Sequence, residues 1–350
     1  MEESHSFFPL LIVVLLAFLV PIVLSRFKRL RIPIVVGEIL AGIVIGQSGL
    51  QLVGEDPILE ILALLGFAYL MFLSGLEIDF GAIMPASGTW QGTWKERLNN
   101  PIGLGLAAFV LTLILAIAGG WGLNAVDAAD DPWLAALILS TTSLGLVMPV
   151  LKERNLTNRP YGQTLLVASV IADFATMLLV SVYVVLRTEG MTPQVLLVLL
   201  LFGAFGTAYR VARLASRHLP GAEFIRSISQ ATSQVDVRGA FAIGMAFIAL
   251  AQGLGAEMIL GAFLGGSLIA LLSDRSTTDL HHKLEMFGYA FFIPIFFIMV
   301  GVRFDLPALL SSTRALLLVP VVLILAYAIK FIAGLVLRLD YSWRETLAGG

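Results

Sequence analysis

The segment Gly37-Glu38-Ile39-Leu40-Ala41-Gly42-Ile43-Val44-Ile45-Gly46 returns in altered form as Ala256-Glu257-Met258-Ile259-Leu260-Gly261-Ala262-Phe263-Leu264-Gly265. A second pair follows each copy: Gly75-Leu76-Glu77-Ile78-Asp79-Phe80 and Gly301-Val302-Arg303-Phe304-Asp305-Leu306. Two matched pairs in the same order point to an internal duplication. Whether the copies are direct or inverted depends on how many membrane crossings separate them.

The chain has 350 residues, of which 58% are hydrophobic and 13% charged, and its mean hydropathy is +0.93. A water-soluble domain could not bury that much apolar surface, so the composition specifies an all-α polytopic membrane protein. Eleven spans of suitable length are predicted: 7–25, 32–52, 57–76, 102–120, 133–151, 161–186, 194–209, 239–252, 256–272, 287–302 and 315–337, with the start of a twelfth at Trp343. Lys and Arg in alternate loops test this assignment. One set of loops holds 18 of the 22 basic residues; the other holds only Arg187, Arg303 and Arg314, and Lys330 lies inside a span. The bias places the N-terminus outside. The acidic start Met1-Glu2-Glu3, with no small-residue cleavage site after the first apolar run, reads as a retained helix rather than a signal peptide.

Both repeat matches are then displaced by seven spans. An odd displacement reverses direction, which makes the repeat inverted, an architecture of many secondary transporters. The complete repeat requires thirteen helices, with the seventh as linker. A chain that reaches only the start of the twelfth is expected to be shortened by about one and a half helices.

The chain has no cysteine, which excludes disulfides and thiolate metal sites. No Gly-rich phosphate loop, zinc spacing or catalytic triad pattern is present, and no basic-aromatic surface suggests nucleic acid. The reading is therefore of a non-enzyme without a cofactor. Chemistry is expected at the intramembrane ionisable groups. Asp173 sits in the apolar run from Leu165 to Leu179; a charge at that depth costs about 2.5–3.5 kcal/mol on insertion scales and marks a functional site by default. The fifth span carries Ser140-Thr141-Thr142-Ser143-Leu144-Gly145-Leu146-Val147-Met148-Pro149. Hydroxyls compete for backbone groups and Pro removes a donor, so this span is predicted to break. The oxygens of Thr141, Thr142 and Ser143 then face Asp173 as hard ligands for a small cation; the alternative is that they bond only to carbonyls of their own helix. Lys330, in the eleventh span, either compensates charge in the core or snorkels toward Arg338. Glu77 and Arg303, at equivalent repeat positions, fall at opposite membrane faces and are read as interfacial. Glu38 is assigned to helix-end capping or an inner vestibule. Gly42, Gly46, Gly261 and Gly265 allow close helix packing, within a protomer or across a dimer. His281 and His282 are placed in a loop.

The motifs Val36 to Gly46, Phe72-Leu73-Ser74-Gly75-Leu76-Glu77-Ile78-Asp79, Thr142 to Glu153, and Phe292-Ile293-Pro294-Ile295-Phe296-Phe297-Ile298-Met299-Val300-Gly301 resemble, in order, those of monovalent cation:proton antiporters. The branch is that of bacterial sodium/proton antiporters and potassium-efflux antiporters, and the resemblance covers essentially the whole chain. It implies a multi-pass protein of a bacterial plasma membrane and a homodimer. Residues 1–100 and 187–303 would be mainly dimerisation scaffold, and 101–186 and 304–350 mainly an ion-carrying core that moves like an elevator. Asp173 matches the family's ion-binding aspartate, Lys330 its basic residue on helix 11, and Thr141 to Ser143 the crossing of helix 5. Three departures stand out. Ala172 occupies the position where many relatives carry a second acid, the crossing has hydroxyls where some have an aspartate, and the second crossing helix is mostly absent.

With one carboxylate per site, Asp173 must bind the proton and the cation (Na⁺ or K⁺) in turn, which predicts electroneutral 1:1 exchange. Two other readings remain at this point: a cation channel or uniporter without proton coupling on the same scaffold, or an inactive fragment.

Overall fold

Three of the helices begin with the same short signal. Asp56-Pro57, Asn100-Pro101 and Asp131-Pro132 each place a capping side chain before a proline whose fixed φ suits the first helical turn. The Asp56 carboxylate accepts from Ile58 N and Leu59 N at 2.9 and 3.0 Å, Asn100 from Gly103 N at 2.8 Å, and Asp131 from Trp133 N and Leu134 N at 2.9 and 3.1 Å.

The computed structural model describes residues 7–26, 32–54, 56–78, 100–188, 200, 203–211, 234–254, 256–272, 278–339 and 341. Among these residues all regular structure is helical. In chain order the helices are α1 (Phe8–Arg26), α2 (Ile34–Ile45), α3 (Pro57–Leu76), α4 (Pro101–Ala125), α5 (Pro132–Ser140), α6 (Leu144–Glu153), α7 (Pro160–Thr188), α8 (Val235–Gly253), α9 (Met258–Leu272), α10 (Thr278–Phe287), α11 (Ile293–Val302), α12 (Leu306–Ser311) and α13 (Thr313–Gly334). A π-helical turn, Gly288–Phe292, joins α10 to α11, and a 3₁₀ turn, Leu335–Leu339, follows α13. Seven helical stretches among the described residues are long and apolar enough to cross a membrane, and α2 and α9 are shorter apolar helices. Leu317, Ile324 and Tyr327 of α13 are 67%, 70% and 73% exposed. Such a row of large apolar side chains is stable only against lipid or another protein surface. The chain is a polytopic membrane protein.

The expected seventh span lies partly outside the described residues; of it, 200 and 203–209 are described, and they are helical. The segment after Trp343 also lies outside them. The second span is shorter than hydropathy suggests. After Ile45 the chain folds back, with Leu50 N donating to Val44 O at 2.7 Å and Leu52 N to Ile45 O at 2.9 Å. A Cβ at Gly46 would overlap Val302 and one at Gly49 would overlap Val44 O, so the tight turn needs glycine at both, and Gln51 adopts a φ of 54°. His281 and His282, expected in a loop, lie on α10. Glu38 is 3% exposed and lies within α2 rather than at a helix end.

The chain divides into two compact units: Met1–Glu77 with Val198–Leu309, and Ile78–Leu197 with Leu310–Gly350. In the first, α2 packs on α11 and α3 on α9. Both contacts are backbone-close. Any Cβ at Gly42 would overlap Ile298 O, and any Cβ at Gly301 would overlap Ile39 O. Likewise Gly75 lies against Phe263 O, and Gly266 against Phe72 O. The small residues thus serve packing within one protomer. Val13, Ile45, Leu59, Ile295 and Ile298 form the core around them. At one end of this unit Leu306 N donates to Ser48 Oγ at 2.8 Å, and Arg303 stands 3.6 Å from Glu60. Arg303 therefore meets the first turn of α3, whereas Glu77 follows its last.

In the second unit α4 packs against α5, α7 and α13. Gly105 brings α4 onto the backbone of Ala168 in α7, and Gly120 brings it onto Pro132 O at the start of α5. Ala116, Leu123, Leu139 and Ile329 make the buried centre of this unit. Directly beside that centre the fifth span breaks.

Candidate ion site at a broken helix

The break is three residues long. α5 ends at Ser140, Thr141 and Ser143 are extended (φ −64°, ψ 145° and φ −78°, ψ 106°), and α6 starts at Leu144. A break leaves the last carbonyls of one half-helix and the first N–H groups of the other without intrahelical partners. In the low-dielectric interior each such group must be met from elsewhere.

Two charged side chains meet them. Leu144 N donates to Asp173 Oδ2 at 2.9 Å, so the α7 carboxylate caps the N-terminus of α6. Ser143, the residue before that helix, makes no side-chain cap of its own. Lys330 Nζ, from α13, donates to Ser140 O at 2.9 Å and to Thr142 Oγ1 at 2.6 Å. Each charge thus faces the end of a helix dipole of opposite sign: the anion at an N-terminus, the cation at a C-terminus. Lys330 points into the break and does not snorkel.

The residues singled out by sequence come together, with a division of labour that spacing alone did not reveal. Thr142 serves Lys330. Thr141 Oγ1 lies 3.5 Å from Thr176 Oγ1. Asp173 meets the backbone of Leu144, not a hydroxyl. Two further hydroxyls escaped the sequence reading. Thr176 donates to Ala172 O at 2.7 Å and is buried, and Ser169 is also buried. Both lie one turn from Asp173 on the same helix, at the three- and four-residue spacings that share a face, and that spacing was the available signal. Ser169, Thr142 and Lys330 line a cavity of about 280 Å³ that continues along α4, α6 and α13 to Leu337.

A second cluster holds the far end of α5. Tyr183 donates to Asp131 Oδ2, and Arg187 Nη2 reaches the same oxygen at 2.7 Å. The Arg187 guanidinium also stands over the Tyr183 ring, 5.5 Å from its centre. The Tyr183 hydrogen bond, the Leu134 and Trp133 amides and Arg187 together hold the Asp131 carboxyl below the usual carboxylate range. α5, only nine residues long, is therefore tied to α7 at its start and to α13 at its end.

A bundle of apolar helices with a helix broken opposite a half-buried carboxylate and a half-buried ammonium is the arrangement expected of an ion-handling membrane protein. Comparison with known proteins gives the family. Residues 14–350 match the family described as "Sodium/hydrogen exchanger, transmembrane", and the chain belongs to it. It is 40% identical over 342 residues to the Bacillus subtilis (strain 168) protein named as the Na(+)/H(+) antiporter YjbQ, covering 97% of this chain and 54% of that protein. It is 30% identical over 345 residues to the Methanocaldococcus jannaschii protein named as Na(+)/H(+) antiporter 3, covering 95% and 80% of the two chains. It is 28% identical over 329 residues to the glutathione-regulated potassium-efflux system protein KefC of Salmonella typhimurium, covering 90% and 48%. The chain spans about half the length of the Bacillus and Salmonella relatives.

Proposed function

We propose that the chain forms the membrane domain of a monovalent cation:proton antiporter that exchanges Na⁺ or K⁺ for H⁺. The observation that carries this reading is the Asp173 carboxylate at the N-terminus of α6, on a break whose other end is held by Lys330. A carboxylate in a membrane core needs neutralisation before it crosses the low-dielectric region. A proton does this, and so does a small cation ligated by carboxylate, hydroxyl and carbonyl oxygens. Asp173 accepts one or the other, Thr141, Thr142 and Ser143 supply oxygens from the break, and Lys330 compensates charge at the α5 carbonyls. With Ala172 in place of a second acid, one carboxylate per site makes the exchange 1:1 and electroneutral. Family membership supports exchange, and the names of the relatives include both Na⁺/H⁺ antiport and potassium efflux.

In the same proposal the N-terminus is outside, the protein is a homodimer, and the elevator core is 101–186 with 304–350 on a scaffold of 1–100 and 187–303. The inverted repeat of this proposal is supported by the crossed packing of its copies. The first-copy helix α2 pairs with the second-copy helix α11, and the second-copy helix α9 pairs with the first-copy helix α3.

The test is Asp173→Asn in proteoliposomes. Asn still accepts the Leu144 N–H, so the protein is expected to fold, with its thermal unfolding near wild type, while cation-driven pH change disappears. Retained exchange would overturn the assignment.

A further inference from the structure

The first unit contains a second cavity, of about 240 Å³, unconnected with the ion site in any of its lining residues. Its walls come from α3 (Leu65, Tyr69, Phe72), α8 (Phe241, Met245) and the π-turn residue Phe292, and nearly every atom facing it is apolar. The one polar group of its aromatic wall is turned away: Tyr69 OH donates to Leu284 O at 2.9 Å. The groove exists because residue 244 is glycine. The Phe72 ring already lies 3.2 Å from where a Cβ would stand, so any side chain there would occupy the space. Met245 on its rim is 50% exposed.

Along α8, Phe241, Met245 and Ile248 follow one another at helical spacing on one face, and Arg238 precedes them by one turn on that same face. Arg238 is exposed, and its guanidinium has no hydrogen bond or ion pair among the described residues. The nearby ammonium is engaged elsewhere: Lys283 bridges Asp236 at 3.4 Å and Asp279 at 2.6 Å. A guanidinium in the first turn of a membrane-spanning helix lies at headgroup level, where it favours phosphate.

We propose that this groove is a binding site for one anionic phospholipid, with an acyl chain between α3 and α8 and its phosphate on Arg238. Helices α3 and α8 are long and apolar enough to cross a membrane, and the exposed rim at Met245 gives an acyl chain access to the apolar part of the site. The charge of Arg238, unpaired among the described residues, selects the headgroup.

The test is native mass spectrometry of the protein released from nanodiscs containing phosphatidylglycerol or phosphatidylcholine. One retained phosphatidylglycerol per protomer is expected, with weaker retention of phosphatidylcholine. Arg238→Gln should lower phosphatidylglycerol retention about fivefold, the effect of one basic residue at a lipid surface, and bring the two lipids level. Met245→Trp, at an exposed rim position, should fill the groove and reduce retention of both while leaving thermal unfolding unchanged. Retention that is equal for the two lipids in the wild type, or untouched by both substitutions, would overturn the proposal. Transport plays no part in this readout, so its outcome is separate from that of the exchange assay.

Discussion

Asp173 and Leu144 lie 29 positions apart in the chain and are joined by one hydrogen bond of 2.9 Å, in which the carboxylate on α7 caps the first N–H of α6. Lys330 does the complementary work on Ser140 O at the end of α5. The break in the fifth span is thus closed electrostatically at both ends by side chains from two other helices. An ion binding at Asp173, as proposed, would compete with this cap.

If one carboxylate serves both ions, each cycle moves one positive charge in each direction. Exchange in proteoliposomes is expected to run at the same rate with and without an imposed membrane potential. Exchange driven by potential alone would require a second titrating group and would argue against the 1:1 stoichiometry.

Lys330 is expected to matter more for stability than for the exchange itself. Lys330→Ala leaves Ser140 O without its charged donor in a buried setting, a loss of about 1–3 kcal/mol. Thermal unfolding should shift down accordingly, and Lys330→Arg should recover most of the loss while 1:1 exchange persists. Complete loss of exchange in a well-folded Lys330→Arg protein would instead place the transported proton on Lys330.

The Asp131 cluster makes stability depend on pH in a stated direction. Its carboxyl is held below the usual range, first by the Tyr183 hydrogen bond and then by the α5 amides and Arg187. A depressed folded pKa means that the contribution is fully present above the ordinary Asp value, about 3.9, and is lost as pH falls through the folded value. Asp131→Asn should lower the unfolding temperature at pH 7 and flatten its decline on acidification. An unfolding temperature that falls equally with acid in both proteins would remove Asp131 from this role.

Gly42 and Gly301 face one another across α2 and α11, with the Cβ position of each occupied by the other helix's carbonyl oxygen. Gly42→Ala forces those backbones apart and should cost about 1–3 kcal/mol. The same substitution at Gly239 or Gly253 of α8, where a Cβ meets nothing within 4 Å, should be tolerated. Comparing the thermal unfolding of the three variants measures the difference directly.

By itself the sequence determined the class of environment and the candidates. A continuous run of apolar residues around Asp173 can be stable only in lipid, and there an ionisable group stands out against its background. Four consecutive hydroxyl residues followed by Gly and Pro weaken one helix locally, so the break at Thr141 to Ser143 was legible from neighbouring residues alone. Pairings between distant residues were not. Hydropathy does not distinguish a lysine that snorkels from one that reaches Ser140 O, 190 positions away, because both have the same local sequence. Nor does it show that Asp173 meets a backbone N–H instead of the hydroxyls, that Tyr183 and Arg187 clasp Asp131, or that Arg238 continues the face of an apolar groove. These depend on which helix faces pack together. That packing is set by backbone approach at glycines such as Gly42, Gly105 and Gly244 and by the need to satisfy every polar group away from water, and only the tertiary structure decides it.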